Sequence, residues 1–141
     1  MSDRQTILIQ NDLDIIEARM HVRVLARDMG LDLFDQARIS LAASTLAIIL
    51  GLDKGIGGTV TMHTLTAHGR VGVQVVCTRP DIPLQGLAAG VLDDAQRMVD
   101  ELRVDETSTD ELAVTLIKWA KRKRRNPSSE LESEILPAGA N

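Results

Sequence analysis

Residues 59–78 read TVTMHTLTAHGRVGVQVVCT. Val60, Met62 and Thr64 alternate with Thr59, Thr61 and His63. Val71, Val73, Val75 and Cys77 alternate with Gly72, Gln74 and Thr78. A period of two is that of a strand with one buried face. His68-Gly69 lies between the two runs and suits a tight hairpin turn. What precedes this hairpin sets the architecture, because a sheet face must be covered by something.

Two helices precede it. Ile15, Arg19, Val22, Ala26 and Met29 recur at spacings of three and four, the period of an amphipathic helix. Asp12 or Asp14 is placed to cap its start, and Gly30 suits the left-handed position past its end. Asp32 can cap a second helix, from about Leu33 to Leu50. From Ile39 onward that helix is apolar on almost every side, which predicts an enclosed segment. Before both helices, Thr6-Ile7-Leu8-Ile9 reads as an opening strand. Gly51, Gly55, Gly57 and Gly58 release the chain from the second helix.

On the far side, Arg79-Pro80-Asp81-Ile82-Pro83 should break the second hairpin strand, since proline has no N–H for a ladder. A loop then runs to about Gly90. Leu92, Ala95, Met98/Val99 and Leu102 mark a third helix. Leu102-Arg103-Val104 offers a short strand, and Leu112, Val114 and Leu116 alternate in a final one. The predicted order is β-α-α-β-β-α-β-β. It implies an α/β two-layer sandwich: a mixed, mostly antiparallel sheet with three helices on one face. Residues 1–119 form this domain. Residues 120–141 read as a tail, with a basic block (Lys121 to Arg125) and then a polar, acidic stretch.

Composition narrows the function. The 141 residues are 44% hydrophobic and 26% charged, with formal charge -4, as in an ordinary globular protein. That charge gives no general attraction to nucleic acid or membrane. Phe34 and Trp119 are the only aromatics, too few for a base-stacking platform. Cys77 is the single cysteine, so no internal disulfide can form. That fits a cytoplasmic protein, as does an N-terminus too polar for a signal peptide. The run from Ile39 to Leu52 is too short to cross a bilayer. His21, His63 and His68 lack metal-ligand spacing with one another or with Cys77.

Four strings carry a more specific signal in their order and spacing. They are Asp14-Ile15-Ile16-Glu17-Ala18-Arg19, Asp35-Gln36-Ala37-Arg38-Ile39, residues 97–104 (RMVDELRV) and Ala113-Val114-Thr115-Leu116-Ile117-Lys118-Trp119. Together, over about residues 6–119, they resemble the anti-sigma-factor serine-protein kinases (RsbT/RsbW type) of the histidine-kinase-like ATPase superfamily. The resemblance implies that fold, ATP with magnesium, and protein partners in a bacterial stress-response module. It also implies a glutamate general base on the second helix, an asparagine for magnesium one turn later, an aspartate for adenine, and a glycine-rich lid.

This chain departs from the pattern at each of those places. Thr45 stands for the glutamate, and its hydroxyl is too weak a base near neutral pH. Ile49 stands for the asparagine and has no oxygen to offer magnesium. The aspartate falls near Arg79, which only donates; Asp81 lies two residues on. The lid retains Gly86 and Gly90, with Leu87, Ala88 and Ala89 between them. Thr45 and Ile49 also read simply as core packing, Arg79 as a solvated loop residue, and Cys77 as a small buried hydrophobe.

Three functional readings follow. The first is a pseudokinase with no catalytic residue, cofactor or metal, which binds a protein partner: a STAS-domain antagonist, a phosphatase regulator or a sigma factor. Arg19, at a position where the family grips partners, and the loop carrying Arg79, Gln85 and Leu87 are its candidate contacts. The second is a divergent ATP-dependent serine kinase, with Asp81 on adenine and Asp53 as a metal ligand. The third is a structural subunit whose apolar surface forms a homodimer face.

Overall fold

The computed structural model describes residues 4–82, 86–108 and 110–121. Five strands form one open sheet: β1 (Gln5–Leu8), β2 (Thr59–Ala67), β3 (Arg70–Pro80), β4 (Glu101–Ser108) and β5 (Glu111–Trp119). Their spatial order is β1-β2-β3-β5-β4. Every pairing is antiparallel, so the expected mixed character resolves to a single type. Helices α1 (Asp12–Asp28), α2 (Leu33–Ile49) and the short α3 (Asp93–Arg97) complete the α/β sandwich. The expected fold class is therefore the observed one.

The β2–β3 hairpin forms as its sequence predicts. His68 and Gly69 both have positive φ, 53° and 75°, the backbone that a type I′ turn requires. The turn sets the register Thr64↔Val73 and Met62↔Val75. One parity of side chains then faces the helices. Val60, Met62, Val73, Val75, Cys77, Leu112, Val114 and Leu116 are buried there against Ile15, Val22, Ile39 and Leu46. The core is aliphatic, as the scarcity of aromatics demands.

Local chemistry explains the helix limits. Asn11, rather than Asp12 or Asp14, caps α1: its Oδ1 accepts from the Asp14 N–H at 3.1 Å. Asp14 answers by accepting the Gln10 N–H at 2.8 Å, a reciprocal arrangement of the capping-box kind. Gly30 follows the C-cap Met29 with φ 87°. Asp32 caps α2 as expected, accepting from the Asp35 N–H at 2.8 Å. Asp35 is itself a buried carboxylate, held by Arg38 at 3.0 Å and Lys118 at 3.5 Å. This joins the start of α2 to β5.

Four details differ from expectation. On α1, Ala18 rather than Arg19 belongs to the buried stripe. On α2, Leu41 and Ile48 are exposed, because a two-layer fold leaves the outer helix surface uncovered. The third helix ends at Arg97, and its expected last residue, Leu102, lies in β4. The Asp100 N–H donates to the Ile117 carbonyl at 2.9 Å, so pairing with β5 captures the chain where the helix would have continued. Finally, β3 runs through Arg79 to Pro80, paired with Leu112 and Glu111. Pro80 lies beyond the end of the β2 ladder and has a neighbour on one side only, which proline tolerates.

Ala120 is buried, and Lys121 pairs with Asp32 at 2.8 Å. The rest of the predicted tail, with the basic block past Lys121, lies outside the described residues.

Candidate functional site

Helix α2 presents two flanks. Ser44 and Ile48 line a cavity of ≈ 340 Å³ shared with Asp12, Ile15, Ile16 and Arg19 of α1 and with Asp53. Thr45 and Ile49 each follow by one residue, about 100° further round the helix, so they point away from α1. Both are half-buried. They are neither sealed in the core nor part of the α1–α2 cavity. That flank thus carries a hydroxyl at Thr45 and an aliphatic side chain at Ile49.

Arg79 comes from the end of β3 and reaches back to the end of α2. Its Nη1 donates to the Leu50 carbonyl, one of the acceptors a helix terminus leaves without an internal partner. A cation there also meets the negative end of the helix dipole. Gly51 permits the approach: a Cβ on it would lie 3.0 Å from Arg79 Nη1, and its φ of 72° suits glycine. Arg79 Nε is buried without a hydrogen-bond partner among the described residues. Arg79 is therefore half-buried and engaged within the fold, not a solvated loop residue.

Asp81 is exposed, with φ 62°. The Ile82 N–H donates to the Asp110 carbonyl at 3.2 Å, which anchors the turn to the β4–β5 connection. Leu87 packs partly buried against the core. Gln85 lies outside the described residues. The structure thus brings Arg79 to α2 and Leu87 to the core, while Arg19 stands apart on α1.

Arg19 is exposed and has no hydrogen-bond or ion-pair partner among the described residues. Asp53 lines the same cavity, and its Oδ1 is buried with no partner among those residues. Among the described residues no group of three His, Cys, Asp or Glu is placed to hold a metal ion. Cys77 is fully buried, and burial pushes its thiol up to about 12, which removes it as a nucleophile near neutral pH. Burial is also the main cause that lowers the His63 pKa, followed by the charge of Arg4.

Sequence reading missed Asp12, Ile16, Ser44 and Ile48 as cavity residues. The available signal was Ile16 and Ile48 themselves, apolar side chains off the core-facing stripes.

The chain is similar to the serine/threonine-protein kinase RsbT of Bacillus subtilis (strain 168), at 29% identity over 133 residues, covering 84% of this chain and 98% of that protein. No family model matches the chain. No helix among the described residues is long and apolar enough to cross a membrane.

Proposed function

We propose that the chain is a non-catalytic protein-binding regulator in a bacterial partner-switching pathway. Its partner would be a STAS-domain antagonist, a phosphatase regulator or a sigma factor. The likeness to RsbT supports the pathway context. The observation that carries the non-catalytic reading is the chemistry of the α2 flank, where Thr45 supplies no effective general base and Ile49 no oxygen for magnesium. These residues do not fit an ATP–magnesium site, so no phosphoryl-transfer step is assigned to them. Function is then occupancy. The domain holds its partner, and phosphorylation of the partner, adding about two negative charges, changes the grip.

A second reading, a divergent serine kinase phosphorylating a STAS-domain antagonist, is favoured by one observation: the relative is itself named a kinase. Titration calorimetry with magnesium and ATP separates the two. The regulator reading expects no heat of binding at micromolar nucleotide. Saturable micromolar binding with phosphate transfer to a STAS-domain protein would establish the kinase instead.

A further inference from the structure

Among the described residues, eight of the nine large hydrophobic side chains left exposed lie on α1 and α2. Scattered apolar exposure is ordinary, but concentration on one helix pair is not. On α1 they form a row, Ile16, Met20 and Val24, at steps of four residues. A second row runs beside it at the same steps: Arg19, Arg23 and Arg27, all exposed. Arg27 pairs with Asp28 at 3.3 Å, whereas Arg19 and Arg23 have no carboxylate partner among the described residues. The rows face two successive hollows along the α1–α2 seam. One is the cavity shared by Arg19, Ile16 and Ile48. The other, of ≈ 240 Å³, lies among Met20, Arg23, Val24, Arg27 and Gln36.

From this pairing of rows we infer that the α1–α2 seam is a docking groove for one amphipathic helix of a protein partner. That helix carries an apolar row and, beside it, carboxylates four residues apart. The inference deepens the regulator reading and rests on it for the class of partner. Steps of four residues set the cations about 6 Å apart along α1. Acidic side chains at the same steps on a partner helix repeat that interval. The apolar row supplies contact area, and the cationic row selects the partner by charge and register. Asp12 and Asp53 stand at the Arg19 end of the seam, so the acidic row runs from Arg19 towards Arg27, away from them.

The test uses the full chain and a fluorescein-labelled peptide of about 18 residues, long enough for roughly five helical turns. Leucines form its apolar row and glutamates at steps of four its acidic row. A control peptide has lysine at each glutamate. By fluorescence anisotropy at low salt, the acidic peptide should bind at least about tenfold more tightly than the control. Arg19→Glu with Arg23→Glu should reverse that preference, and Met20→Asp should weaken the acidic peptide about tenfold or more. These positions are exposed, and unchanged thermal melts of the variants verify the fold. Equal binding of the two peptides, or acidic-peptide binding indifferent to the arginine reversal, overturns the groove. So does binding to phosphatidylserine vesicles without binding to the peptide, which would assign the basic row to lipid. The nucleotide titration above is independent: ATP turnover would remove the regulator reading and leave these peptide results standing.

Discussion

Arg79 and Arg19 illustrate how differently two arginines of one chain can be placed. Arg79 donates to the last turn of α2, and Gly51 makes room for it. Replacing it by alanine leaves the Leu50 carbonyl without that donor and removes a cation from the helix end. The expected cost is about 1–2 kcal/mol, a fall of roughly 4–8 °C in Tm. Arg19→Ala, on an exposed surface, should stay within about 0.5 kcal/mol of the parent. Parallel thermal melts read both. Equal melting temperatures would mean that Arg79 is not the clasp described here. Sequence alone offered both as partner contacts and read Arg79 otherwise as a solvated loop residue, since a charge carries no mark of its partner. The helix-end carbonyl that claims Arg79 lies 29 positions earlier in the chain, beyond the reach of any local pattern.

Among the elements, those with strong periodicity and good caps were legible. The α1 and α2 spans and the β2–β3 hairpin follow from spacing, Asp32, Gly30 and His68-Gly69. The third helix was read too long because Leu92, Ala95, Val99 and Leu102 keep a helical step, while the β5 edge takes the backbone from Asp100 onward. Only Leu102 to Val104 of β4 was legible. Its continuation, Asp105, Glu106 and Thr107, is polar, as suits the rim of a sheet. The α2 cap also makes a pH prediction. A hydrogen bond from Lys121, and next the Asp35 N–H, hold Asp32 below its ordinary 3.8. A carboxyl lowered by folding adds stability above that value and loses it as pH falls through the folded value. Lys121 is raised above 10.5 by the same bond, so its share is present below 10.5 and lost as pH rises further. Asp32→Asn keeps a cap and removes the charge. The urea midpoint of the parent should exceed that of the variant at pH 7, and the gap should shrink at pH 3 and at pH 11. A gap constant across that range would show that the Lys121–Asp32 pair contributes nothing.

At the scale of the molecule, fold class was legible because alternation, helix period and element order all pointed to one layer on another. The candidate groove was not. A sequence read for its core treats Ile16, Met20 and Ile48 as surplus apolar residues, and only the two-layer arrangement shows that none of the described residues covers them. The sheet holds a further consequence. Its first strand is joined to its neighbour across two whole helices, with Gln5 opposite Met62. Hairpins close over a few residues, but this closure waits on more than fifty, and the wait costs loop entropy. A chain clipped after Leu8 would bare the side of β2 that β1 covers at Thr59–Met62, four residues with neither proline nor a formal charge to discourage a stranger. Such a clipped chain should self-associate by strand exchange, with light-scattering mass rising as protein concentration rises, while the intact chain at the same concentrations shows no such rise. The four residues of β1 are, on this view, a seal against polymerisation.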